Sequence, residues 1–511
     1  MFSAAVFALL VGCASAPERQ TMAWEADLPT AWAAGGSGSS DGPEGWLRDF
    51  EAPMLPALVA EAQRNNPDLQ ATAARFGQAL AESGIAGAAR LPTAGLGVNG
   101  VRQELNTFGP FETEDRPLGD ALAGLIPAGA PPAVQAIPEQ INDLDLIPSP
   151  SSRFTNYQLQ LNLQWEADLW GRLRDRDSAA LAQAQARQAD WRGARLSLAA
   201  QVAKSWFNLA EAKQQVVQAR KTMRSYADSL ATLEERFQRG LSQGLELRMV
   251  RSQTAAAQSE LTIRQRALEQ AARQLEVLLG RYPSAELAAP RALPPLPAAI
   301  PAGLPSGLLT RRPDLIAAER RLAAAEREVS AARKERLPQF ALTASGGTSS
   351  REFNNLIDSD FSVWSLGANL TQPIFQGGRI RANIDRSLSL REQAAAAYRS
   401  RALQAFLEVE STLAAEHSLQ QEYAQLSLAA EESREAEVLA WERYRKGTGS
   451  FMNVLDNRRS AATYESNQLR LRNQLLKNRL DLYLALGGDI AAAASDNPMT
   501  AGTDAKPGPS E

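Results

Sequence analysis

The sequence predicts a mainly α-helical chain that carries four β-strands of membrane type, organised as two copies of one unit. Three observations predict it. In "TNYQLQLNLQWEADLWG", Tyr157, Leu159, Leu161, Leu163 and Trp165 alternate with Asn156, Gln158, Gln160, Asn162 and Gln164, the period of a strand with one apolar and one polar face. Two stretches of some 66 residues, Leu173 to about Gln238 and Ile380 to about Arg445, hold an unbroken Ala/Gln/Arg/Leu pattern. At about 1.5 Å per residue each predicts a helix of about 100 Å. The third observation is that the chain repeats itself.

Pro67 and Pro92 return 246 residues later as Pro313 and Pro338, within "NNPDLQATAARFGQALAESGIAGAARLP" and "RRPDLIAAERRLAAAEREVSAARKERLP". Gly171, Gly240 and Gly280 return 207 residues later as Gly378, Gly447 and Gly487. The offset drops once, so the first copy carries about 39 extra residues between Val101 and Thr155. That insertion is rich in Pro, Gly and acidic residues and reads as a long loop. A repeat of this length means two copies of one fold unit rather than a short-period solenoid.

Each copy runs in the same order. A helix comes first, over Leu55 to Ala89 or Leu315 to Arg336, marked by Pro-Asp and stopped by Leu-Pro. A strand follows, with Leu96, Val98 and Gly100 or Phe340, Leu342 and Ala344 on one face. After a loop comes a second strand, the opening segment in copy one and Trp364, Leu366, Ala368 and Leu370 in copy two. A Gly turn leads into the long helix, and a return helix of about 35 residues runs to Leu279 or Leu486. The predicted divisions are 1–12, a signal peptide; 13–54, a lipid-anchored N-terminal segment; 55–282, repeat one; 283–310, a Pro-rich connector; 311–490, repeat two; and 491–511, a disordered tail.

Composition excludes several classes. Lys and Arg number 54 against 58 Asp and Glu, a net charge of −4 with no basic block, which gives no case for nucleic acid. One His (His417) and one Cys (Cys13) do not suffice for a zinc site, a Cys/His nucleophile pair or a disulfide framework. No Gly-rich phosphate loop or nucleophile elbow is present, so neither a cofactor nor an enzyme is expected. The pair Glu166 and Asp168 in "WEADLWG" is the only local suggestion of carboxylate catalysis; it reads as a strand-to-helix corner, because Gly171 matches Gly378 in "FQGGRI", which has no paired acid. His417 lies in a polar helical stretch and reads as a surface residue.

The apolar strand faces need cover. No short amphipathic helix follows any strand to supply it, and strands of about 9 to 11 residues match tilted membrane strands. Their polar faces are uncharged, which suits a watery lumen, and Trp165, Tyr157, Trp364 and Phe340 are spaced as interfacial residues would be. Four strands cannot close alone, and open edges are not viable in lipid. Closure therefore needs several chains, and three give twelve strands. In the long helices, Leu196, Ala199, Val202, Trp206 and Leu209 keep near-heptad spacing with a second, polar face, which favours coiled-coil pairing around water over a solid rod.

The N-terminus, "MFSAAVFALLVGCASAPERQ", resembles a bacterial lipoprotein signal, with Leu10-Val11-Gly12 before Cys13. Met1 to Val11 holds no Lys or Arg, a departure from that pattern. The resemblance implies a diacylglycerol on the Cys13 sulfur and an N-acyl chain, two signals that anchor stably, and Ala14 after the Cys implies sorting to the outer membrane.

Taken with the duplication, the sequence from Cys13 to about Ile490 resembles the TolC-like outer-membrane efflux factors, in the OprM/NodT-type lipoprotein branch that serves resistance-nodulation-division (RND) pumps. The resemblance implies a homotrimer, with a twelve-stranded barrel in outer-membrane lipid, a helical barrel in the periplasm and an equatorial belt from the connector and termini. It also implies a passive exit duct for small molecules such as drugs or metals, docked to a periplasmic adaptor (a membrane fusion protein) and an inner-membrane RND pump. The family's periplasmic gate lies at the hairpin turns. In "RYRKGTGSFMNVLDNRRS", Tyr444 and Gly447 match the turn, Met452 a constricting position and Asp456 the outer of two acidic positions, while the inner one is Asn453. In "RFQRGLSQGLELRMVRS", Gly240, Leu245 and Glu246 match, with Glu246 at an acidic position. Three Asp456 carboxylates in a ring select cations, more weakly with Asn453 neutral. A lipid-anchored periplasmic coiled-coil adaptor or scaffold is the alternative reading; it leaves the paired strands unexplained.

Overall fold

A computed structural model of the chain describes residues 17–19, 21–35, 45–106, 122–143, 151–298, 300 and 305–488. The expected signal peptide, Cys13, the tail 491–511 and half of the insertion lie outside these residues. The chain forms two units, one of residues 88–171 and 335–376, the other of the remainder.

The smaller unit is one antiparallel sheet in the order β1 (Thr93–Asn106), β2 (Ser151–Ala167), β3 (Gln339–Ser350) and β4 (Ser362–Thr371). Register fixes the faces. Leu161 pairs with Leu96 and Gly346, and Gly346 with Trp364; Gln160 pairs with Gly97 and Gly347, and Gly347 with Val363. Because directly opposed residues share a face, Leu96, Leu161, Leu163, Trp165, Leu342, Trp364 and Leu366 line one side and Gln158, Gln160, Asn162, Gln164, Ser345 and Ser365 the other, while toward the outer end the division breaks down, with Phe154 on the polar side and Thr348 and Ser362 on the apolar one. The polar side is hydrogen-bonded across strands, with Ser345 and Ser365 hydroxyls 2.7 Å apart and Ser349 Oγ donating to Asn156 Oδ1 at 2.9 Å. Gly347 lies where a Cβ would stand 1.9 Å from the Leu159 carbonyl oxygen, so no other residue fits there.

The strands differ from expectation in length. β1 has 14 residues and β2 has 17, rather than about 9 to 11, because their pairing runs on through Arg102↔Thr155 to Asn106↔Ser151. Ladder hydrogen bonds carry the hairpin outward where side-chain alternation has already stopped. In the insertion, Pro132–Gln135 and Ile137–Asp143 are short helices.

The larger unit holds α1 (Leu55–Asn65), α2 (Pro67–Ala88), α3 (Arg172–Gln238), α4 (Gly244–Leu278), α5 (Pro313–Lys334), α6 (Arg379–Arg445) and α7 (Phe451–Ala485). The helix expected over Leu55 to Ala89 is two helices. Pro67 has no N–H and holds Asn66 extended; the Asn66 side chain then caps Asp68 N at 3.0 Å and Leu69 N at 3.1 Å, while its Nδ2 donates to Leu278 O at 3.1 Å. In copy two, Arg312 occupies the matching position and donates to Ala485 O at 3.1 Å. Different side chains thus tie the entry of each copy to the end of its return helix.

All four long helices end on a glycine with φ between 73° and 76°: Gly240, Gly280, Gly447 and Gly487. In each, the residue after it bonds back to a carbonyl five earlier, as in Leu241 N to Arg236 O at 2.8 Å and Thr448 N to Arg443 O at 3.0 Å, the Schellman closure that needs a left-handed residue. α3 packs on α4 and on α7, and α6 on α7. Ala199, Val202, Trp206 and Leu209 are buried in the main core with Leu275, Leu476 and Leu480, while Trp46 and Phe50 of the N-terminal segment add their rings, Trp46 stacking on Tyr483 at 5.9 Å. A second core holds Trp32, Leu315, Leu322, Tyr398 and Val409.

The connector is held by buried charge. Glu276 accepts from Ala285 N at 2.7 Å and Leu287 N at 3.0 Å. Arg479, 2% exposed, donates to Pro297 O at 3.0 Å and also reaches Ala298 O and Glu416. Among the described residues no helix is long and apolar enough to cross a membrane, and none of the His, Cys, Asp and Glu groupings could hold a metal ion.

Candidate functional site

Two features stand out, one in each unit. The first is the uncovered apolar face of the sheet. Leu96 is 73% exposed, Trp364 81%, Leu366 75% and Leu370 64%, so nothing among the described residues packs over them. The face spans from Phe340 opposite Ala167 to Tyr157 opposite Ser350, ten residues along β2, or about 34 Å at about 3.4 Å per residue. Tilted by about 45°, it covers about 24 Å of membrane normal, the height of a barrel's lipid-facing band. Trp165 and Phe340 stand near one end, Trp165 Nε1 donating to Arg90 O at 2.9 Å. At the other end Tyr157 meets Phe353 edge-on at 5.6 Å. Trp364, expected at an interface, instead pairs with Gly346 two rows further in. Glu166 and Asp168 sit at the corner, where Gly171 N donates to Asp168 O at 3.4 Å and Gly171 takes φ 75°.

The second feature is the turn of the two helical hairpins. Gly240 closes α3 and Gly447 closes α6, and Ser450 caps α7 by accepting from Met452 N at 3.1 Å. A tip core of Tyr226, Leu233, Leu247, Val250, Tyr444, Phe451, Val454 and Leu455 draws on both hairpins. Tyr444 is buried there against Phe451 at 5.2 Å, beneath the Arg236 guanidinium at 5.2 Å, and its hydroxyl donates to Glu246 Oε2 at 3.2 Å. Burial, and next the Glu246 charge, push the Tyr444 pKa above the usual phenol value, so the hydroxyl is a proton donor throughout the neutral range.

Of the residues singled out in the sequence, Glu246 and Tyr444 are thus brought together. Leu245, Met452, Asn453 and Asp456 are exposed. Asp456 is not alone: Arg459 donates to its Oδ1 at 3.1 Å, with both side chains more than half exposed. Sequence reasoning overlooked Arg459, although its i,i+3 spacing from Asp456 on a helix is the signal for such a pair. It also overlooked Arg458, 5% exposed, which donates to Glu437 at 2.6 Å, Ser225 O at 3.0 Å and Ser229 Oγ at 2.9 Å and so joins the hairpins; partners more than 200 residues away leave no local trace.

These features have counterparts in known proteins. The family model "Outer membrane efflux protein" matches residues 58–281 and 304–488. The chain is similar to the pyoverdine export outer membrane protein OpmQ of Pseudomonas putida, 32% identical over 452 residues and 87% of each chain. It is similar also to the cation efflux system protein CusC of Escherichia coli, 28% identical over 496 residues, 94% of this chain and 96% of the other. Among solved structures, a membrane protein from Pseudomonas aeruginosa superposes with a TM-score of 0.78 at 31% identity, over 93% of this chain and 99% of that one. The chain belongs to the outer membrane efflux protein family, and it is an outer-membrane efflux channel of TolC-like fold.

Proposed function

We propose that three copies assemble into the exit duct of a tripartite efflux pump, passing small molecules from the periplasm to the exterior while a periplasmic adaptor and an inner-membrane RND pump supply selection and energy. The observation that carries this reading is the sheet itself. Among the described residues its apolar face is uncovered and β1 and β4 each keep one unpaired edge, which in lipid must find a partner. Joining β4 of one copy to β1 of the next closes twelve strands around the Gln, Asn, Ser and Thr face. A coiled-coil scaffold has no use for such a sheet.

The hairpin tips are the duct's periplasmic gate in this reading, with Met452 and Leu245 as constricting side chains, Asp456 and Glu246 as acids, Asn453 as a neutral substitute, and Gly240, Gly447 and Tyr444 shaping the turns. Cys13 carries the lipid anchor. OpmQ exports pyoverdine and CusC serves cation efflux by their names; this chain's cargo belongs to the same broad range of small solutes. The test is fractionation and electrophoresis. An outer-membrane band near three times the chain's 55.2 kDa that collapses on boiling is expected, whereas an unheated monomer in the soluble fraction refutes the assembly. Cys13→Ser removes acyl labelling if Cys13 is the anchor and leaves it unchanged if it is not.

A further inference from the structure

We infer that a groove just beyond the hairpin tip, on one side of the α4–α3–α7 layer, is a binding station for organic anions bearing carboxylate, sulfonate or phosphate groups. The inference deepens the exit-duct reading and rests on it, because it takes the exposed face of α7 to line the duct. Met452, Asp456, Arg459, Thr463 and Arg470 fall at spacings of four, three, four and seven residues, which puts them within one narrow stripe of a 3.6-residue helix. Arg459, Thr463 and Arg470 line a groove of about 500 Å³, and Arg264 and Glu260 face them from α4. The face that begins with an acid at the tip therefore meets Arg459 within one turn and Arg470 about four turns on.

Charge in the groove does not cancel. Its lining holds three guanidiniums and one carboxylate. Arg264 is occupied by Glu260 at 2.6 Å and Arg459 by Asp456 at 3.1 Å. Arg470 donates to the neutral Asn467 amide, and among the described residues no carboxylate lies within salt-bridge distance of it. An exposed guanidinium with open donors, amid amide and hydroxyl groups of Gln253, Thr222 and Thr463, matches a planar oxyanion bidentately. Larger by comparison, at about 890 Å³, a second groove in this unit is lined by four carboxylates (Glu82, Asp190, Asp314, Glu328) and two guanidiniums (Arg321, Arg401). The basic excess is thus local to the groove near the tip and is no general property of the helical wall.

The test is equilibrium binding of pyrenetetrasulfonate to the detergent-solubilised full chain, followed by fluorescence anisotropy. Salt-sensitive binding is expected, weakened at least fivefold in Arg459→Gln/Arg470→Gln and at least threefold in Arg470→Gln alone. Arg470→Lys is expected to retain most of it, and Arg391→Gln, on α6 outside the groove, all of it. Equal binding by wild type and both glutamine variants overturns the anion station. Bilayer conductance of the same preparations tests the duct separately: conducting channels with unaltered anion binding sink only this inference, and a folded protein that never inserts into bilayers sinks the duct and the inference with it.

Discussion

Tyr444→Phe is a minimal perturbation of the tip. It deletes one oxygen and leaves the ring where Trp441, Phe451 and the Arg236 guanidinium hold it, at 5.9, 5.2 and 5.2 Å. What is lost is the 3.2 Å hydrogen bond to Glu246, the contact by which the acid of the first hairpin holds the second. A hydrogen bond to a charged acceptor contributes about 1.5–3 kcal/mol, less where the acceptor is partly solvated, so about 1–1.5 kcal/mol is appropriate here. With about 1.4 kcal/mol equal to a factor of ten, the ratio of parted to clasped tips rises by about five- to twelvefold per protomer. The assay is single-channel recording in planar bilayers, scored as the fraction of time in the larger conductance. A double-mutant cycle with Glu246→Ala supplies the control, since two partners of one bond give a double variant no more open than the single ones. Wild-type behaviour in Tyr444→Phe, or fully additive effects in the cycle, would refute the clasp.

Other perturbations follow from the same contacts. A Cβ on Gly280 would stand 2.6 Å from the Asn65 carbonyl oxygen, whereas on Gly487 the nearest atom is 3.2 Å away. Both positions have left-handed φ, costing an alanine about 1–2 kcal/mol, so Gly487→Ala is expected to assemble and Gly280→Ala, with a backbone clash added, to give much less heat-stable trimer on gels. Arg479→Met leaves Glu416 and two connector carbonyls without their buried donor, a loss of about 3–5 kcal/mol; limited proteolysis should then cut near Ala298 at concentrations that spare the wild type. Tyr226, Tyr398, Tyr444 and Tyr483 all have pKa values raised, chiefly by burial, above the ordinary 10.0. Above that pH the unfolded chain has released protons the folded chain still holds, so stability is unaffected by these groups near neutrality and falls as pH rises past 10; a denaturant midpoint that climbs from pH 9 to 11 contradicts this.

What the sequence made legible was what neighbouring residues encode. Period-two alternation in β2 gave the face of every strand paired to it, because register copies Leu161 onto Leu96 and Gly346. Glycines at matched offsets marked helix ends that the left-handed conformation requires. The break at Asn66 escaped notice because the apolar pattern continues across Pro67, although proline alone forbids the ordinary helical bond there. The outer part of the first hairpin escaped because ladder bonds need no alternation. At the tip, types of residue were visible but not their partners: Asp456 read as a bare acid until Arg459 was found on it, and Glu246 read as a pore-lining charge although its neighbour is a phenol 198 residues away. Electrostatic character belongs to pairs, and pairs of long separation are set by packing.

The duplication adds one step to the gate argument. Shifted by 207 residues, Tyr444 falls on Phe237 and Glu246 falls on Asn453. The junction between hairpin one and hairpin two within a chain therefore has both a donor and a charged acceptor, while its repeat-related counterpart in the proposed trimer, between hairpin two of one copy and hairpin one of the next, would have a ring without a hydroxyl and an amide without a charge. In the proposed trimer, a closed ring of six hairpins, tips would be clasped at three junctions and unclasped at three. Phe237, 45% exposed, and the exposed Asn453 are not enclosed by the rest of their own copy. The paired change Phe237→Tyr/Asn453→Glu is then expected to create the second set of clasps and lower the open fraction by about the factor that Tyr444→Phe raises it, with neither single change sufficient. Were the double variant to open as often as the wild type, the two junctions would not share one geometry, and the pseudo-sixfold reading of the tip would fail even if the Tyr444–Glu246 bond survived its own test.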